Sequence, residues 1–142
     1  MFKKILVALD HSKADSFLLP QIKKLAHLTG AELVLLHVST GWAAQWQENL
    51  NLSDSQEIKE DREYLEKVST ELSRENLRAT ARHASGEPAR AILKTAAAEE
   101  CDLIAMTTHG HRLFSDLIHG ATITKVRHES DIPLFLVKAH MD

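Results

Sequence analysis

The stretch Ile5-Leu6-Val7-Ala8-Leu9, closed by Asp10-His11-Ser12, decides the fold. Five apolar residues in unbroken succession do not alternate as a strand with one wet face does. They suit a short strand buried on both faces, the habit of parallel sheets. The same signature returns in Ala31 to Val38 (Ala-Glu-Leu-Val-Leu-Leu-His-Val) and in Asp102 to Met106 (Asp-Leu-Ile-Ala-Met). Arg78 to Ser85 alternates more weakly and reads as a strand nearer an edge, and Pro133 to Lys138 opens with the proline a strand tolerates at its first position.

Segments of helical period lie between these runs. Ser12-x-x-Asp15 has the form of a capping box, Leu18, Ile22, Leu25 and Ala26 share one face, Pro20 predicts a kink and Gly30 a stop. Ser53-x-x-Gln56 opens a long segment with Ile58, Leu65, Val68 and Leu72 on one stripe, and Glu57, Lys59, Glu60, Asp61 and Arg62 are expected on its solvated face. Pro88 suits the first turn of a third helix with Ala89, Ile92, Leu93, Ala96 and Ala97 inward, and a fourth runs from about Gly120 to His128. Strands alternating with helices predict a single-domain α/β fold over residues 1–142, an open, doubly wound five-stranded parallel sheet with helices on both faces. Such sheets bind ligands beyond the carboxyl ends of the strands, where strand order reverses. That directs attention to Asp10-His11-Ser12, Val38-Ser39-Thr40 and Thr107 to Gly120.

A chain of 142 residues with 44% apolar and 26% charged residues can bury one core. Its net charge of −3 supplies no positive field for a nucleic acid or an anionic bilayer, so neither partner is expected. Met1-Phe2-Lys3-Lys4 is basic, but the apolar run after it ends at Asp10 without a cleavage pattern, and no segment approaches the ~18 apolar residues of a spanning helix. A cytoplasmic protein is expected. Cys101 is the single cysteine and reads as a small semi-buried apolar residue just before a strand.

Gly110 and Gly120 fall between the fourth strand and the fourth helix, where backbone N–H groups and a helix N-terminus can approach an anion. Turn geometry alone also accounts for them. His109, His111 and His119 cluster in the same loop with Asp116 as its carboxylate, an incomplete set for structural zinc, and no metal is expected there. Ser12, His37 and Asp10 contain the elements of a triad, but His37 lies inside an apolar strand and reads as a hydrogen-bonded core histidine. The chain has no Walker Lys-Ser/Thr pair and no G-x-S-x-G elbow, and no catalytic residue is assigned. Trp42 and Trp46 lie in the long connection Ser39 to Leu52, as a lid or partner contact or as cover for the second helix.

Taken together, Ile5 to Ser12, Glu32 to Val38, Gly86-Glu87-Pro88, Asp102 to Gly110 and Pro133 to Val137 resemble the universal stress protein family over essentially the whole chain. The resemblance implies a Rossmann-like, adenine-nucleotide-hydrolase-like fold and a stress-response regulator or sensor, not primarily an enzyme. It also implies an adenine nucleotide as ligand, AMP or ATP, with Mg²⁺ as an optional companion. Nucleotide-binding members carry G-x2-G-x9-G-[ST] after the fourth strand. On this chain the pattern falls on Thr107, Gly110, Gly120 and Ala121, so its first and last positions depart. In such members the residue matching Asp10 and the backbone of that matching Val38 hold adenine, and the loop and helix start hold ribose and phosphates. The nucleotide-binding set implied here is Ala8, Leu9, Asp10, Val38, Met106, Thr107, Gly110, His111, Arg112, Gly120, Ala121 and Thr122. Ala121 keeps its N–H but lacks a hydroxyl, worth about 1.5–3 kcal/mol if bonded to a charged phosphate. Thr107 places a β-branched side chain where glycine allows close approach, an expected narrowing of the channel. His111 and Arg112 supply compensating cationic groups. Two alternatives stay open: a member without nucleotide binding that acts through protein contacts, and a slow nucleotide hydrolase. The family also implies a homodimer through the strand Pro133 to Val137.

Overall fold

The structure, a computed structural model, describes residues 1–39, 54–109 and 120–140. Strands and helices alternate without exception along them. The elements are β1 (Lys4–Ala8), α1 (Asp15–Thr29), β2 (Glu32–Ser39), α2 (Asp54–Arg74), β3 (Ala79–Ser85), α3 (Pro88–Ala98), β4 (Leu103–His109), α4 (Gly120–Glu129) and β5 (Leu134–Ala139). The five strands form one parallel sheet in the order β3-β2-β1-β4-β5. Strand order therefore reverses at β1, which lies between β2 and β4. The weakly alternating third strand and the last strand are the two edges. No helix among the described residues is long and apolar enough to cross a membrane.

The apolar runs are buried on both faces because each face has its own pair of helices. Ile5, Val7, Leu33, Leu35, Leu103 and Ala105 pack with Leu18 and Ile22 of α1 and Leu65 and Leu72 of α2. Their neighbours in sequence, Leu6, Ala8, Val34, Leu36, Val38, Ile104 and Met106, pack with Ala89, Ile92 and Ala96 of α3 and Val126 of α4. Odd and even rows of the central strands thus serve separate cores, as the two-residue period of a strand requires.

Helix ends follow local chemistry, with corrections to the sequence reading. Gly30 caps α1 in the left-handed region (φ 76°) and donates its N–H to Ala26 O at 2.8 Å, as expected. Ser12 and Asp15 do not form a capping box: the N-cap of α1 is Ala14, without a side-chain cap. Ser12 Oγ instead accepts from Ala14 N–H and donates to Asp10 Oδ2, while the Asp15 carboxylate accepts the N–H groups of Asp10 and His11. The pair ties helix to strand end rather than closing the helix's own first turn. The helix also passes through Pro20 as one element. Pro88 takes the first turn of α3, and the N-cap Glu87 accepts from Ala89 N and Arg90 N, both at 3.0 Å. Ala97 is exposed rather than inward, since Ala89, Ile92 and Ala96 already fill the buried stripe. Ser53, Trp42 and Trp46 lie outside the described residues.

Candidate functional site

The carboxyl ends of β1, β2 and β4 bring most of the described nucleotide-set residues to one edge of the sheet. Ala8, Leu9, Asp10, Val38, Met106, Thr107 and Thr122 are buried, whereas Gly120 and Ala121 open the first turn of α4 in exposed positions. Gly110, His111 and Arg112 lie outside the described residues, as do Asp116, His119 and the side chain of His109. Ala8, Val38 and Met106 share the even-row core.

Two members of the set belong to the other row. Leu9 packs in the odd-row core. Thr107, 1% exposed, follows Leu103 and Ala105 by strand alternation, so its β-branched side chain is directed away from the face that holds Met106. Thr107 therefore does not crowd the Met106 face, and of the two departures from the family pattern Ala121 is the one exposed at the start of α4.

The odd face at the same edge carries a polar cluster that the sequence reading did not assemble. Asp61, assigned to the solvated face of its helix, is 6% exposed. It lies in α2 at the register Ile58, Asp61, Leu65, Val68, Leu72, a spacing of 3, 4, 3 and 4 that continues the apolar stripe. That spacing was the available signal. Its Oδ1 lies 2.6 Å from His11 Nδ1, its Oδ2 lies 3.2 Å from His37 Nε2, and Oδ2 also accepts from Ser39 Oγ at 2.9 Å. Ser39 Oγ is in turn 2.7 Å from Nε2 of His83, the β3 residue paired with His37 across the sheet.

Each donor is held by a second contact. His37 Nδ1 is 2.9 Å from Leu9 O, and because a carbonyl only accepts, Nδ1 carries the hydrogen. His37 is the hydrogen-bonded core histidine expected, with its ring nitrogens 2.9 Å from Leu9 O and 3.2 Å from Asp61 Oδ2. His11 adopts a left-handed backbone (φ 56°), uncommon for a residue with a side chain. Its N–H donates to Asp15 Oδ2 at 2.9 Å and its ring stacks on Tyr64 at 4.1 Å between centroids. Tyr64 O–H also donates to Asp15 Oδ2, at 2.6 Å.

Burial acts to raise the Asp61 carboxyl, but the His11 hydrogen bond, the His37 charge and the Ser39 hydroxyl together hold it below the usual carboxylate range. Asp15 stands above its ordinary value because burial outweighs the Tyr64 hydroxyl and the two amides. Tyr64 is pushed far up by burial and by the Asp15 charge, so it keeps its proton as donor. Burial, with the charge of His37 and Arg62, lowers His83 and favours its neutral ring. Cys101 is buried and lifted by burial to about 11, as suits an inert packing residue.

The family model for the universal stress protein family matches residues 1–138. The universal stress protein YxiE of Bacillus subtilis is 28% identical over 148 residues, covering 97% of this chain and all of that protein. The solved structure of protein MJ0577, named as a universal stress protein of Methanocaldococcus jannaschii, aligns over 100% of this chain and 99% of its own with TM-score 0.83 and 27% identity. A universal stress protein from Archaeoglobus fulgidus in complex with dAMP aligns over 96% and 98% with TM-score 0.70 and 19% identity.

Proposed function

The chain belongs to the universal stress protein family, and on that premise we propose that it binds an adenine nucleotide, AMP or ATP, as a cytoplasmic regulator or sensor in a stress response. The observation that carries the reading is that a buried carboxylate, Asp10, lies two residues past the end of β1, at the reversal point of strand order where Ala8, Val38 and Met106 share one apolar core. Ala8, Val38 and Met106 give the planar base an apolar surface. The Asp10 carboxylate offers an acceptor matched to the exocyclic amine of adenine. The first-turn amides of α4, beginning at Gly120 and Ala121, carry the partial positive charge that suits a phosphate. Gly110, His111 and Arg112 complete the proposed set, with Thr122 beside the helix start. These donors fit a nucleotide, and Mg²⁺, if it accompanies ATP, would be held through the phosphates. The dAMP complex of the A. fulgidus relative supports the ligand class.

The reading extends to a homodimer through β5. That strand is a sheet edge, and Leu136 on it is 44% exposed, whereas Phe135 and Val137 pack against the odd-row core. Two antiparallel copies would close the edge and stop at two subunits.

Calorimetric titration with AMP, ADP and ATP tests the proposal. Saturable binding that weakens at least tenfold in Asp10→Ala is expected. Absence of binding in the wild type would favour the contact-only alternative, and rapid phosphate release from Mg²⁺-ATP would favour the hydrolase.

A further inference from the structure

We propose that His11, His37 and Asp61 form a binding site for a divalent transition-metal ion of the zinc type, on the sheet face opposite Ala8, Val38 and Met106. One donor atom from each lies within 4.8 Å of the other two. Two imidazole nitrogens and a carboxylate are a zinc donor set, and donors on a tetrahedral ion at ~2.0–2.1 Å stand roughly 3.3 Å apart. The His37–Asp61 separation of 3.2 Å already meets that edge. His11 Nδ1, 2.6 Å from Asp61 Oδ1, would exchange that hydrogen bond for the ion, and its side chain, 36% exposed, gives the ion its way in from solvent.

The supporting contacts define the electronic state of the site. With its Nδ1–H donated to Leu9 O, a neutral His37 directs its Nε2 lone pair at Asp61 Oδ2. Either a hydrogen or a metal ion can join these two atoms, and the bound ion would take the hydrogen's place. A ligating histidine whose other N–H is fixed by a backbone carbonyl is also the usual outer-shell arrangement of a metal site. Ser39, backed by His83, orients Asp61, while Asp15 and Tyr64 fix His11 by its amide and its ring. Strand alternation separates the two sites. His37 and Ser39 continue the row of Leu33 and Leu35, whereas Val38 continues that of Val34 and Leu36, so metal and nucleotide approach opposite faces. The inference stands independently of nucleotide binding. His11, His37 and Asp61 leave the remaining coordination position to water or to a small oxygen-donor ligand.

The test uses the intact protein, stripped of metal with a chelator and titrated with Zn²⁺ while the histidine ring nitrogens are observed by NMR. One ion per chain is expected, with shifts at His11 Nδ1 and His37 Nε2 and retention of the His37 Nδ1–H signal. Asp61→Asn should weaken binding at least 100-fold, whereas His109→Gln/His119→Gln should leave it within a few-fold. Because the NMR observation needs no variant, it stands even if Asp61→Asn unfolds. No binding up to 1 mM Zn²⁺, ring shifts confined to other histidines, or loss of binding in the His109/His119 variant would each overturn the assignment.

Discussion

Replacing Asp61 with alanine removes the carboxylate on which His11, His37 and Ser39 converge at 2.6, 3.2 and 2.9 Å. Removing one partner of a buried charge pair costs about 3–5 kcal/mol, most of it the penalty on the groups left behind. The His11 contact adds little to this, since that ring is 36% exposed and its interaction is screened. The expected loss is therefore about 3–4 kcal/mol, a large share of the ~5–15 kcal/mol that stabilises a typical domain. In urea, with a slope of ~2 kcal/mol per molar, it moves the unfolding midpoint down by roughly 1.5–2 M at pH 7 with chelator present. The pH dependence supplies a second signature. Asp61 is depressed in the folded state, so its contribution is present above the ordinary carboxylate pKa and is lost as pH falls through the lower folded value. The gap between wild type and Asp61→Ala should narrow steadily on acidification below about pH 4. Asp15, raised when folded, acts in the opposite sense but is common to both proteins and cancels in the difference. A midpoint shift under about 0.5 M, or an equal shift at pH 7 and pH 3, would refute the reasoning.

Other outcomes follow from the same geometry. Ala121→Ser restores a hydroxyl at the start of α4 and should tighten ATP by roughly 10- to 150-fold in calorimetry. Thr107→Gly alone should destabilise the buried centre of β4 without tightening ATP, and tighter binding there would show that Thr107 does face the nucleotide. Cys101, with its thiol lifted to about 11, should resist alkylation in the native protein at pH 8, where roughly one thiol in a thousand is ionised, and react only on unfolding. Leu136→Lys should convert a sedimenting dimer to monomer while leaving the unfolding midpoint nearly unchanged, because Leu136 is 44% exposed. A wild type that remains monomeric at high concentration would reject the edge pairing.

Apolar succession made the central sheet legible: Ile5 to Leu9 could be buried on both faces only within a layered α/β fold. Gly30 and Pro88 marked helix ends because their backbone limits act locally. Ser12 and Asp15 misled for the complementary reason, since their side chains are satisfied across the β1–α1 turn by Asp10 and His11, which the capping pattern does not include. At the candidate site, strand alternation was the information left unused. Applied to residues 103–107 it directs Thr107 away from Met106, and applied to residues 33–39 it sends His37 and Ser39 to one side and Val38 to the other. Asp61 was hidden by its neighbours in a charged run, although its spacing from Ile58 and Leu65 placed it on the buried stripe. The partnership of His11, His37 and Asp61 joins three elements distant in sequence, and no local pattern brings them together.

The central claim, that an adenine nucleotide occupies the even face at the β1 reversal while the histidine–aspartate cluster lies behind the sheet, is tested most directly by mapping ATP onto the backbone amides. Titration of the isotope-labelled protein with ATP should shift Asp10, Val38 and Gly120 to Thr122 together along one saturable curve, with the ring nitrogens of His37 and His83 little changed. No shift at several millimolar ATP, or shifts centred on His37, Asp61 and His83 instead, would contradict it.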